Sequence, residues 1–105
     1  MNENRYQAQL IRKLRKMFPG CLVLKTDSLY IQGIPDLIIL WKDYWASLEI
    51  KASGSARSQA NQGHYIQKLN EMSFAAYIYP ENEMEVLSAL QQAFEPSGRA
   101  RISQS

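Results

Sequence analysis

At 105 residues with 46% hydrophobic side chains, the chain can build one small domain with a modest core, and its apolar content argues against disorder. No apolar run approaches membrane-spanning length and no apolar signal segment opens the chain, so a cytoplasmic protein without membrane association is expected. Cys21 is the sole cysteine, which excludes an intrachain disulfide and, with one histidine, disfavours a zinc site. The net charge of +2 conceals a basic N-terminal stretch, in which Arg5, Arg12, Lys13, Arg15, Lys16 and Lys25 accompany a single acidic residue, Glu3.

In chain order, Tyr6, Leu10, Leu14 and Met17 recur at helical spacing, widened by Ile11 and Phe18, and predict an amphipathic helix over 4–18. Pro19-Gly20 ends it. Residues 21–26 read as a strand with Cys21 as a small core residue, and Leu29-Tyr30-Ile31 as a brief extended piece. Two apolar runs follow, Gly33 to Trp41 and Trp45 to Lys51, joined by the short polar Lys42-Asp43-Tyr44, which predicts an antiparallel hairpin. The small, polar segment 52–58 reads as a loop, with Arg57 as a phosphate partner. A helix over 59–72, a strand over 74–79 ended by Pro80, and a helix over 82–94 complete the pattern. In that last helix Met84, Leu87, Leu90 and Phe94 are expected to face inward, with Asn82 as N-cap. Residues 1–94 thus form one domain, and the basic tail 95–105 is expected to be disordered. The order α-β-β-β-α-β-α suits a three-layer α/β/α domain with a mixed central sheet.

Asp36, Glu49 and Lys51 interrupt the hairpin's apolar pattern, and an unpaired charge within such a pattern is costly. Strand side chains alternate faces, so Glu49 and Lys51 share one face and Leu48 and Ile50 the other. A two-residue loop at Asp43-Tyr44 would set Trp41 opposite Ala46 and Asp36 opposite Lys51, bringing all three charges to the open end of the hairpin. A pair of carboxylates suits Mg²⁺ or Mn²⁺, with lysine beside it to orient water or offset negative charge. The plainer reading is a surface salt bridge between Asp36 and Lys51 with Glu49 solvated. For Arg12, Lys13, Arg15 and Lys16 the plainer reading is a solvated helix face, although a basic stretch beside a metal site suits nucleic acid.

Gly33-Ile34-Pro35-Asp36 followed by Glu49-Ile50-Lys51 resembles the PD-(D/E)XK nuclease signature, closest to the virus-type replication-repair nuclease (VRR-NUC) domain and the Holliday-junction resolvase-like nucleases, over roughly residues 3–80. The resemblance implies a restriction-endonuclease-like core. It implies Asp36, Glu49 and the Ile50 carbonyl as metal ligands and Lys51 as the catalytic lysine. The family's early Glu corresponds to Glu3 and its post-motif Gln to Gln62 or Gln59, of which Gln62 fits the helix better. The implied function is a Mg²⁺-dependent endonuclease acting on branched DNA in phage or bacterial recombination and repair, with no small-molecule cofactor. It implies a homodimer, for which exposed aromatics such as Tyr30, Trp41, Tyr44 or Trp45 are interface candidates. The alternative is a DNA-binding module of the same fold that does not cleave.

Overall fold

A computed structural model describes residues 2–57 and 61–95. Gln59 and most of the tail considered above lie outside them. The first helix, α1, runs Glu3–Met17 and is capped by Asn2, whose side chain accepts from the Arg5 backbone N–H at 2.8 Å. Glu3 in its first turn, and Arg15 and Lys16 in its last, complement the helix dipole. Tyr6, Leu10 and Leu14 form its buried stripe, and Gly20, at φ +87°, takes the chain out of the helix.

Next come β1 (Leu22–Lys25), β2 (Leu37–Trp41), β3 (Tyr44–Ile50), α2 (Gln62–Met72), β4 (Phe74–Ile78), a 3-10 turn at Pro80–Asn82 and α3 (Glu83–Phe94). The strands form a four-stranded sheet in the order β1-β2-β3-β4. The first two pairings are antiparallel and β3 pairs with β4 in parallel, the α2 connection making the crossover. The result is an α/β fold with a mixed sheet.

Strand alternation divides the sheet into two faces. Leu37, Ile39, Trp41, Ala46, Leu48, Ile50 and Ile78 pack with α1 and α3 in one core. Phe18, Trp41 and Phe94 meet there with ring centroids 5.0–6.0 Å apart. The other face carries Glu49 and is covered by α2 only over β3 and β4. Over β1 and β2 it is open, leaving Leu22, Leu24 and Leu40 exposed.

The hairpin register differs from the expectation by two residues. The turn is Lys42-Asp43, with Lys42 at φ +57°, and Trp41 pairs with Tyr44 while Ala46 pairs with Ile39. This register places Trp41 and Tyr44 side by side, both stacked on Phe94 at 6.0 and 5.7 Å. A shift of two preserves the parity of every side chain, so the faces assigned to Asp36, Glu49 and Lys51 are unchanged.

Other local expectations are corrected for identifiable reasons. Leu29-Tyr30-Ile31 is a turn rather than an extended piece. The Asp27 carboxylate accepts from Leu29 N–H, and its carbonyl accepts from Tyr30 and Ile31. Met84 is exposed, and Val86 replaces it in the buried stripe with Leu87, Leu90 and Phe94. At about 100° per residue Met84 and Val86 lie on opposite flanks of the Leu87–Leu90–Phe94 stripe, and α3 turns the Val86 flank to the core. Asn82 precedes α3 without capping it; its amide serves the Tyr79 and Tyr77 backbone instead. Trp41 is not the exposed aromatic expected: it is buried, and its indole N–H donates to the Pro19 carbonyl at 3.0 Å. Tyr30 is exposed, while Tyr44 and Trp45 are half-buried.

Candidate active site

Continuing the register beyond Leu37 and Leu48 would set Asp36 opposite Glu49. The backbone there is held firmly. Thr26 takes up the Pro35 carbonyl with its hydroxyl at 2.6 Å, and its N–H donates to the Asp36 carbonyl at 2.9 Å. Gly33, at φ +89°, supplies the turn that delivers the chain into Pro35 and β2. Asp36 then reaches across the hairpin, its Oδ2 accepting from the Ile50 N–H at 2.9 Å. The role of Thr26 was not apparent in the sequence, although a threonine closing a strand shortly before Pro-Asp is a usable signal.

Glu49, only 3% exposed, lies on the α2 face of β3. Its Oε2 accepts from Gln62 Nε2 at 2.7 Å and lies 3.4 Å from Lys51 Nζ. Its Oε1 is buried with no hydrogen-bond partner. Lys51 is also buried; its ammonium donates to Gln62 Oε1 at 2.8 Å and to the Arg57 carbonyl at 3.1 Å. Gln62, the first residue of α2, therefore bridges the acid and the base through its two amide atoms. The surface salt-bridge alternative does not hold, since Glu49 is buried and is itself the carboxylate closest to Lys51.

Burial pushes the Glu49 carboxyl up to about 7, the neighbouring Asp36 charge pushes in the same direction, and Lys51 partly opposes both. Two carboxylates with one buried lone-pair atom unmet form an arrangement that is unfavourable alone and favourable around a cation. The donor set is all oxygen and hard, so it fits Mg²⁺ or Mn²⁺. Among the described residues no cluster of three or more His, Cys, Asp or Glu side chains forms a metal-ligand group. The acidic pair is Asp36 and Glu49, and the Ile50 backbone lies between Glu49 and Lys51.

No family model, curated protein or solved structure matches this chain.

Asp36, Glu49, Lys51 and Gln62 line a polar cavity of about 200 Å³ together with Glu3, Arg57, Ser28, Gly33 and Ile34. The N-terminus of α1 thus brings Glu3 to the wall of the same cavity, and the loop after β3 brings Arg57. Arg12, Lys13, Arg15 and Lys16 are not brought there. They are exposed on α1, nine to thirteen residues beyond Glu3, roughly 14–20 Å along the helix at about 1.5 Å per residue. Lys13 is ion-paired with Glu83. His64 is exposed on α2.

Proposed function

We propose that this protein is a Mg²⁺-dependent endonuclease of the PD-(D/E)XK type that hydrolyses DNA phosphodiester bonds. Its preferred substrate would be branched DNA, such as a four-way junction, in phage or bacterial recombination and repair. One observation carries the reading: a buried Glu49 with an unmet oxygen, beside Asp36 and bridged to Lys51 by Gln62. The element order and mixed sheet agree with a restriction-endonuclease-like core.

In this mechanism Asp36 and Glu49 would hold the cation, joined by the Ile50 carbonyl and Glu3. When bound, Mg²⁺ acidifies water and neutralises charge on the phosphate. Lys51 orients the attacking water and offsets negative charge as the phosphate is attacked. Gln62 fixes the Lys51 ammonium and the Glu49 carboxylate relative to one another, so neither must reorganise during the reaction. Arg57 holds a phosphate oxygen at the mouth of the cavity, and the basic face of α1 contacts backbone farther along the duplex. Symmetric cutting of a two-fold junction requires two matched sites, so the proposal includes a homodimer. A second copy covering Leu22, Leu24 and Leu40 would account for the open apolar half of the sheet.

The test is cleavage of labelled four-way junction, flap and linear duplex DNA with Mg²⁺, Mn²⁺ or EDTA. Metal-dependent nicking that disappears in Asp36→Ala, and falls at least about 100-fold in Lys51→Ala with DNA still bound, is expected. Wild-type cleavage by Lys51→Ala would remove the role given to that lysine. Tight DNA binding without cleavage under any metal would leave only the binding module.

A further inference from the structure

A second cavity of about 520 Å³ runs along the outer edge of β4, between α2 and α3 and beneath the loop that follows β3. Tyr77 and Tyr79 line it with Ile66 from α2 and Val86 from α3, and Glu85 stands at its rim. Lys51 lines both this groove and the Asp36–Glu49 cavity, so the two adjoin across its side chain. A Cβ on Gly54 would lie 3.0 Å from Tyr79 Cε2, so the loop packs closely against the tyrosine ring and a side chain at 54 would require that ring to give way.

An exposed strand edge ordinarily invites another strand, but this one is already used. Asn70 accepts from the Ala75 N–H at 3.0 Å. Asn82 donates to the Tyr77 carbonyl at 3.1 Å and accepts from the Tyr79 N–H at 2.8 Å. Several of the outward backbone groups are thereby occupied, which disfavours a continuous added peptide strand. What the groove offers is aromatic wall, aliphatic floor and a carboxylate at the rim. Glu85 has no hydrogen-bond or ion-pair partner among the described residues, and its charge repels phosphate. A planar ring bearing N–H donors satisfies all of these features.

We propose that this groove binds an unpaired nucleobase, guanine by preference, belonging to a nucleotide whose phosphate lies at the Asp36–Glu49–Lys51 site; the assignment rests on the nuclease reading. Guanine presents two adjacent donors, N1–H and the exocyclic amino group, which a carboxylate can accept side by side. Adenine and cytosine present one amino donor on the corresponding edge. A base inside a duplex cannot reach a groove of this kind, so the strand must be single, flapped or opened at a branch. Stacking one base on an aromatic ring is worth roughly 5- to 150-fold in affinity.

Two arms separate this proposal from the one beneath it. In the first, guanosine 5′-monophosphate, adenosine 5′-monophosphate and ribose 5-phosphate are titrated into the protein and followed by NMR. The guanine nucleotide is expected to shift the Tyr77 and Tyr79 ring resonances and to bind at least about 5-fold more tightly than the adenine nucleotide. Glu85→Gln, a surface change, should erase that preference and leave adenine binding unchanged, whereas Tyr79→Ala should weaken both. Ring shifts as large with ribose 5-phosphate, or none with either nucleotide, overturn the proposal. In the second arm, flap DNA carries guanine or an abasic residue beside the scissile phosphate. Wild-type protein should favour guanine at least about 5-fold in kcat/KM, and Tyr79→Ala should lose that preference. Cleavage indifferent to the base overturns the groove assignment and leaves the nuclease. Guanine nucleotide binding with no cleavage of any DNA supports the groove and overturns the nuclease.

Discussion

The buried Glu49 makes a prediction about stability that is independent of catalysis. Its carboxyl rises from an ordinary 4.5 to about 7 on folding, chiefly through burial and next through the Asp36 charge. Below pH 4.5 the group is protonated in both the folded and unfolded states and favours neither. Between 4.5 and about 7 the unfolded chain gives up the proton that the folded chain keeps, so the folded state binds more protons and stability falls as pH rises. At about 1.4 kcal/mol per pH unit, the loss above pH 7 is roughly 3 kcal/mol. Glu49→Gln keeps the shape and an oxygen to accept from Gln62, and removes the charge. In urea unfolding with EDTA present, the variant should be about 1–3 kcal/mol more stable than wild type near pH 8, and the gap should close toward pH 4. The lower end allows for the new amide hydrogens, which need acceptors in a site built around a carboxylate. Parallel pH profiles for the two proteins would refute the argument, because the cost assigned to Glu49 ionisation would then not exist.

Cation binding should oppose the same cost, so Mg²⁺ at pH 8 is expected to raise the urea midpoint of wild type and leave that of Glu49→Gln nearly unchanged. Tyr6 donates its hydroxyl to Glu83 Oε1 at 2.8 Å and ties α1 to α3; Tyr6→Phe should cost about 1–2 kcal/mol by urea unfolding. The Tyr6 phenol is itself held above its usual range by burial and then by Glu83, and Tyr6→Phe should remove an absorbance change that appears above the ordinary tyrosine range in an alkaline titration. Gly33 sits at φ +89°, where a side chain costs about 1–2 kcal/mol, so Gly33→Ala should lower stability by that amount and impair cleavage by moving Asp36. Leu24→Asp, on the open half of the sheet, should weaken self-association in sedimentation experiments while changing monomer stability by no more than about 0.5 kcal/mol.

The charged trio was legible because strand alternation is a property of residue parity alone. The turn was placed one residue away from its true position, which shifts every pairing by two, yet Asp36, Glu49 and Lys51 kept a common face, since a register error of two cannot change parity. The register itself was not legible, because it places Trp41 and Tyr44 together on Phe94, a residue distant in the sequence. Helical spacing predicted Leu87, Leu90 and Phe94 in the core but misassigned Met84, because spacing alone does not say which flank of that stripe is buried, and it is the flank with Val86. Asp27 carried the signal for the turn at Leu29–Ile31, since aspartate takes up backbone N–H groups two residues on. Gln62 was preferred over Gln59 from the spacing of Ile66 and Leu69; the Gln62 amide spans Glu49 and Lys51, and Gln59 lies outside the described residues. The groove beside β4 left no linear trace, because its walls come from a loop, two helices and an edge strand.

The site is coherent only if its unfavourable parts are considered together. A chain selected for stability alone would have little reason to bury Glu49 beside Asp36, and less to leave Oε1 without a donor when Gln62 supplies one to Oε2. Lys51 offsets part of the negative charge, yet its ammonium is also directed to the amide oxygen of Gln62 and the carbonyl of Arg57. The residual electrostatic cost therefore falls on the two carboxylates, the pair a divalent cation would join. Each term that destabilises the folded protein alone, the buried charge, the carboxylate neighbour and the unmet oxygen, becomes favourable once such an ion is bound. A stabilised Glu49→Gln that no longer cleaves would express this exchange of stability for function. A stabilised variant that still cleaves at the wild-type rate would separate the electrostatic cost from the chemistry and remove Glu49 from the proposed mechanism.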